Sequence, residues 1–156
     1  MKLILPLSVT LPRKTKADKV FALNINIYRN SHHFILNQAK ARYRDIVHVL
    51  WRGTFNDITI APPYRFVYTI YPGSGRKFDL GNVLSIVQKF TEDSLVEMGV
   101  IPDDNYKIIR AVDYRFGEIN KELPHVTLEI FSWEAPRDKE VLAKRADALI
   151  DLMRKS

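Results

Sequence analysis

Hydrophobic and polar positions change their period several times along the chain, and each change marks an element. Residues 7–11 read as a strand, ended by Pro12 and a cationic turn carrying Arg13, Lys14, Lys16 and Lys19. Residues 20–28 are rich in Ile, Leu and Val and predict an extended segment. From 31 to 51 the period turns helical: Phe34, Ala41, Ile46, Val49 and Leu50 are the apolar positions, and Lys40, Arg42 and Arg44 add charge. Residues 64–71 are β-branched and aromatic between Pro62-Pro63 and Pro72-Gly73, the clearest strand pattern in the chain. Residues 80–98 predict a helix stopped at Gly99. Residues 106–116 and 125–133 read as two further strands. Residues 136–155 read as a closing amphipathic helix with Leu142, Ala146, Leu149 and Met153 on one stripe. This order predicts one α/β (α+β) domain over residues 1–156, a mixed β-sheet covered by helices.

Composition narrows the class. At 156 residues, 46% hydrophobic and 27% charged, the chain can bury a core of its own. It has no cysteine, which excludes disulfides and thiolate zinc sites. The early run Leu3-Ile4-Leu5-Pro6-Leu7 is too short to span a membrane and lacks a signal-peptide cleavage pattern, so a cytoplasmic protein is expected. Twenty-four Lys+Arg against 18 Asp+Glu leave a net charge of +6, compatible with a polyanionic partner.

Against this basic background, residues 76–105 gather carboxylates. The block runs Arg76-Lys77-Phe78-Asp79-Leu80-Gly81-Asn82, then a helix with Lys89 and Asp93, then Pro102-Asp103-Asp104-Asn105. At about 100° per residue, Asn82, Lys89 and Asp93 share one stripe, beside the apolar arc of Val83, Val87 and Phe90. If the flanking strands are neighbours in the right sense, Asp79 and Asp104 converge on one cation. Magnesium takes a few carboxylates together with substrate phosphate, activates water and stabilises a leaving oxygen. Lys89 would offset charge developing on the phosphate. The same residues also have ordinary readings. Asp79 is a helix N-terminal carboxylate, Asp103-Asp104-Asn105 is a turn, and Lys89 with Asp93 is an exposed i, i+4 pair.

These residues resemble the RusA-type family of Holliday junction resolvases, magnesium-dependent endonucleases of bacteria and their phages. The family pattern is Asp-Leu-Asp-Asn opening a helix, a lysine and an aspartate further along, then an Asp-Asp pair. Asp79, Leu80 and Asn82 match the opening, Lys89 and Asp93 the helix residues, and Asp103-Asp104 the pair. Arg76 and Lys77 match basic residues ahead of the opening. Leu11-Pro12, residues 23–30 and the following basic helix with Lys40 and Tyr43 resemble the family's entry segment. The likeness covers about residues 7–131; the C-terminal helix, residues 135–156, lies outside it. Two departures stand out. Gly81 occupies the place of the second family aspartate, a metal ligand, and Lys89 lies about one helical turn further from Asn82 than in the commoner pattern.

The resemblance implies a RusA-like fold and an enzyme that resolves four-way DNA junctions by paired cuts, in recombination, repair or phage DNA processing. It implies Mg2+ or Mn2+ held by Asp79, Asp104 and Asp93, with Asp79, Lys89 and Asp104 catalytic. Phosphate contacts are expected from Arg76, Lys77 and Arg29, and from Lys14, Lys16 and Lys40. Symmetric cutting implies a homodimer in the bacterial cytoplasm. Two other classes remain: a junction-binding protein whose cleavage is lost with the ligand at Gly81, and a basic RNA-binding domain. His32, His33, His48 and His125 match no zinc spacing, and Trp51 and Trp133 are expected in the core.

Overall fold

A computed structural model describes residues 1–55, 59–134 and 139–155. The chain opens with strand β1 (Lys2–Leu5), whose alternation buries Leu3 and Leu5 and exposes Lys2 and Ile4. A hairpin follows: β2 (Ser8–Leu11) pairs antiparallel with β3 (Lys19–Ala22) across the cationic turn. Helix α1 (Ile25–Asn30) leads into the long helix α2 (His33–Thr54). Then come β4 (Tyr64–Tyr71), α3 (Leu80–Glu97), β5 (Ile109–Phe116), β6 (His125–Ser132) and α4 (Lys139–Lys155).

Four strands form a mixed sheet in the order β1-β6-β4-β5, so the protein is an α+β domain as the element order predicts. β1 and β4 each pair antiparallel with β6, and β4 pairs parallel with β5. β4 is central, which explains its nearly unbroken apolar run: Val67 and Thr69 are buried as well as the alternating Tyr64, Phe66, Tyr68 and Ile70. The latter set packs with Leu3, Leu5, Val126, Leu128 and Ile130 against the helices, where Tyr43, Val47, Leu84, Val87 and Phe90 complete the core. α3 lies against β4 and β5 on one side and against α2 on the other. Its buried positions therefore take up most of its circumference, from Leu84 to Leu95.

The α3 terminator follows the sequence signal. Gly99 adopts φ +73°, and the amides of Gly99 and Val100 return to the carbonyls of Val96 and Leu95. Among the described residues no helix is long and apolar enough to cross a membrane.

Four expectations change. The segment 20–28 is not extended throughout. β3 ends at Ala22, and Asn24 caps α1 by accepting a hydrogen bond from the Asn26 amide at 2.9 Å. Ile25 and Tyr28, three residues apart, then pack inward, a helical spacing masked by the β-branched composition. Residues 2–5, part of the apolar run too short to span a membrane, form an edge strand. β5 starts at Ile109, because Asn105 turns the preceding chain through bonds to the amides of Lys107, Ile108 and Ile109. α4 begins at Lys139; the expected residues 136–138 lie outside the described residues, as does the side chain of Leu142. The described apolar side chains of this helix do not enter the core. Ala146, Leu149 and Met153 are exposed, as are Ile150 and Leu152.

Candidate functional site

Parallel pairing of β4 and β5 decides where the acidic block goes. In a strand–helix–strand unit with parallel strands, the segment leaving the first strand and the segment entering the second lie at opposite edges of the sheet. Asp79 follows β4 at the C-terminal edge, and Asp104 precedes β5 at the N-terminal edge. The 18 residues of α3 span about 27 Å between them. Within one chain the two carboxylates cannot share an ion, so the expected convergence of Asp79 and Asp104 is corrected by strand direction. Among the described residues no three His, Asp or Glu side chains gather closely enough to hold a metal.

At the first edge lies a cleft of about 730 Å³, lined by Asn24, Ser74, Gly75, Arg76, Lys77, Phe78, Asp79, Asn82 and Phe116. Its floor is the N-terminal end of α3 and its walls are the β4–α3 loop and the ends of α1 and β5. Open α/β sheets place ligands at this carboxyl end of parallel strands. Asp79 stands at the N-cap position, yet its side chain makes no capping bond. Instead the Asn82 amide Nδ2 donates to Asp79 Oδ2 at 3.3 Å, while the Asn82 backbone N–H caps onto the Asp79 carbonyl at 3.1 Å. The carboxylate thus stays exposed in the cleft beside two cations. Two glycines permit close approaches near this edge. A Cβ on Gly117 would sit 2.7 Å from the Tyr71 ring, and one on Gly73 would sit 2.8 Å from Pro124. Tyr71 in turn stacks on His125 at 4.6 Å, which gives that histidine a structural role.

The far half of α3 has a different character. Glu92 is buried against the sheet, where Tyr68 Oη donates to its Oε1 at 3.4 Å and Gln88 Nε2 to its Oε2 at 3.2 Å. The Tyr114 hydroxyl donates to Gln88 Oε1. Burial pushes the Glu92 carboxyl up to about 7; the charges of Asp104 and Asp93 add to the rise, and the bonds from Gln88 and Tyr68 oppose it. Burial also raises the Tyr68 and Tyr114 hydroxyls, with the Glu92 charge contributing to both. Asp103 is held below the usual carboxylate range by hydrogen bonds from the Asn105 side chain and the Asp104 amide. That pair therefore forms the turn that its sequence also allowed.

The other expected site residues scatter. Lys89 lies about 10 Å along α3 from Asn82 and pairs with Asp93 at 3.6 Å; it does not line the cleft. Asp93 instead borders a smaller hollow between α2 and α3 with Lys40, Arg44 and Glu97. Lys40 sits 5.8 Å from the Tyr28 ring centre and 6.0 Å from that of Phe90, a cation over the α1–α3 contact. Lys14 and Lys16 are exposed on the hairpin turn, and Arg29 is exposed in the last turn of α1. The His32 and His33 rings lie 4.1 Å apart and tilted by 35° at the start of α2, where His32 Nδ1 accepts from the Phe34 amide. Trp51 is buried as expected, whereas Trp133 is half-buried under the Arg110 guanidinium.

Sequence reasoning missed Asn24, Ser74, Phe78 and Phe116 in the cleft and Glu92 in the core. Phe78 was within the block but carries no charge to attract notice. Glu92 left no mark, since it stands among other polar positions of the helix such as Gln88, Lys89 and Asp93, and only packing against the sheet buries it. No family model and no curated protein matches the chain.

Proposed function

We propose that the protein is a magnesium-dependent endonuclease that resolves four-way junctions and related branched DNA in the bacterial cytoplasm, acting as a homodimer in recombination, repair or phage DNA processing. The reading rests on the RusA-type pattern of residues 76–105. The single observation that carries it further is the cleft, where Arg76 and Lys77 stand beside an uncapped Asp79 and the Asn82 carboxamide. Arg76 and Lys77 hold strand phosphates by charge, and the amides of Asn24 and Asn82 and the Ser74 hydroxyl can bond sugar or phosphate oxygens. The donor set fits a hard cation held by Asp79 and Asn82, completed by substrate phosphate and water, since magnesium needs few protein ligands. When bound, such an ion, or manganese in its place, activates water and offsets charge on the scissile phosphate. The cleft lining favours Arg76 and Lys77, rather than Lys89, as the cations for that phosphate.

A second reading, junction binding without cleavage, is favoured by one observation: Asp79 and Asp104 lie at opposite ends of α3, with Gly81 where the family has a further ligand. The deciding experiment incubates the protein with a synthetic four-way junction and a plain duplex in magnesium. Paired nicks confined to the junction are expected. Tight junction binding in calcium with no nicks in magnesium or manganese would select the second reading. Equal binding to duplex RNA would remove both and leave the basic RNA-binding class.

A further inference from the structure

Two phenylalanine rings stand open at the mouth of the cleft. Phe116 is 57% exposed and Phe78 is 36% exposed, and their ring centres lie 6.4 Å apart at 41°. The fold explains the exposure of Phe116. It continues the β5 alternation of Val112 and Tyr114, which pack toward α3, but at the strand's last position it reaches past the start of that helix. Phe78 meets it from the β4–α3 loop, one residue before Asp79. Together they form an apolar ledge in a cleft that Arg76, Lys77, Asn24 and Asn82 also line.

From this juxtaposition we infer that the cleft takes an unpaired nucleotide of a DNA strand, its base stacked on Phe78 and Phe116 and its phosphate held by Arg76 and Lys77. This rests on the nucleic-acid reading above and gives it a source of selectivity. Base faces are accessible where a strand is unpaired or opened at a branch, and they are hidden inside a duplex. Aromatic ledges beside cationic grooves are how proteins hold single strands with little sequence preference. A cleft of this volume also suits one nucleotide rather than a duplex groove.

The test measures binding in calcium of a forked DNA with an unpaired arm carrying 2-aminopurine, a duplex of the same sequence, and free deoxynucleoside monophosphate as competitor. The wild-type protein should bind the fork more tightly and change the probe's fluorescence. Phe78→Ala and Phe116→Ala should each weaken fork binding roughly tenfold, the order of one lost base–aromatic stack, and leave duplex binding within about twofold. Phe116→Trp should retain fork binding, and Phe116→Leu should not. Unchanged fork affinity in both alanine variants overturns the ledge while leaving DNA binding itself standing. An equal loss on fork and duplex also overturns it, because base stacking would not be the cause. Full competition by the free nucleotide at micromolar concentration moves the occupant from a strand to a metabolite and overturns the proposal. Absence of any DNA binding by the wild type removes the nuclease reading and the ledge together.

Discussion

The two ends of α3 carry carboxylates of opposite kinds. At the N-terminal end Asp79 is exposed, uncapped and flanked by Arg76 and Lys77, so its charge is available to a ligand. Toward the C-terminal end Glu92 is buried among Tyr68, Gln88 and Tyr114, and the charges of Asp104 and Asp93 disfavour its ionisation. One end is arranged to meet charge from outside and the other to keep a proton inside. The lesson is that acidic residues close in sequence do not define a single site; strand direction can separate them by the length of a helix.

The largest expected effect tests that separation. Asp79→Asn should lower cleavage of a four-way junction on the order of 100-fold or more, with binding intact or tighter as carboxylate–phosphate repulsion is relieved. Asp104→Asn should cost much less, because it faces the other end. Equal loss in single-turnover assays of both variants would mean that the two ends meet through a second chain.

The contrast also predicts a pH dependence of stability. Glu92 titrates near 7 in the folded protein and near its ordinary 4.5 when unfolded. Between those values the folded state binds more protons, so this group's contribution is full below about 4.5 and is lost as pH rises through 7. Glu92→Gln should keep the hydrogen bond from Tyr68 without the charge. It should be more stable than the parent by about 2 to 3 kcal/mol at pH 8, with little difference at pH 4.5. Urea midpoints measured across that range check the sign, and parallel curves for the two proteins would show that the carboxyl is not titrating there.

A smaller effect concerns the cations. Arg76→Ala should weaken DNA binding several-fold and reduce the salt slope by roughly one unit, whereas Lys14→Ala on the hairpin turn should change neither by more than about half as much. Identical slopes in the two variants would deny the cleft its special place. The smallest structural effect is expected from Gly81→Asp. A Cβ there meets nothing within 4 Å, and an added carboxylate in the first helical turn is favourable. Stability should change by no more than about 0.5 kcal/mol. A gain in magnesium affinity or cleavage would show that Asp79 lacks a neighbour.

Much of this was legible in the residues themselves. β4 announced itself through its aromatic and β-branched run, and α3 through its period and Gly99. Arg76, Lys77, Asp79 and Asn82 were read together and do share one cleft. Lys89 shares the helical stripe of Asn82 but does not line the cleft, because a helix keeps residues on one face while carrying them apart along its axis. The β-branched composition of α1 masks its helical spacing, and the cap from Asn24 starts the helix there.

Local order was therefore determined by the sequence alone, because periodicity, caps and turns act within a few residues. What the tertiary structure decided was direction and enclosure. The parallel pairing of β4 with β5 sends Asp79 and Asp104 to opposite edges, and packing of α3 on the sheet makes Glu92 a buried acid. It also brings Phe116, nearly forty residues away in sequence, beside Phe78. These are relations between distant segments, and no local pattern encodes them, since which strands pair and in which sense depends on the burial of the whole core.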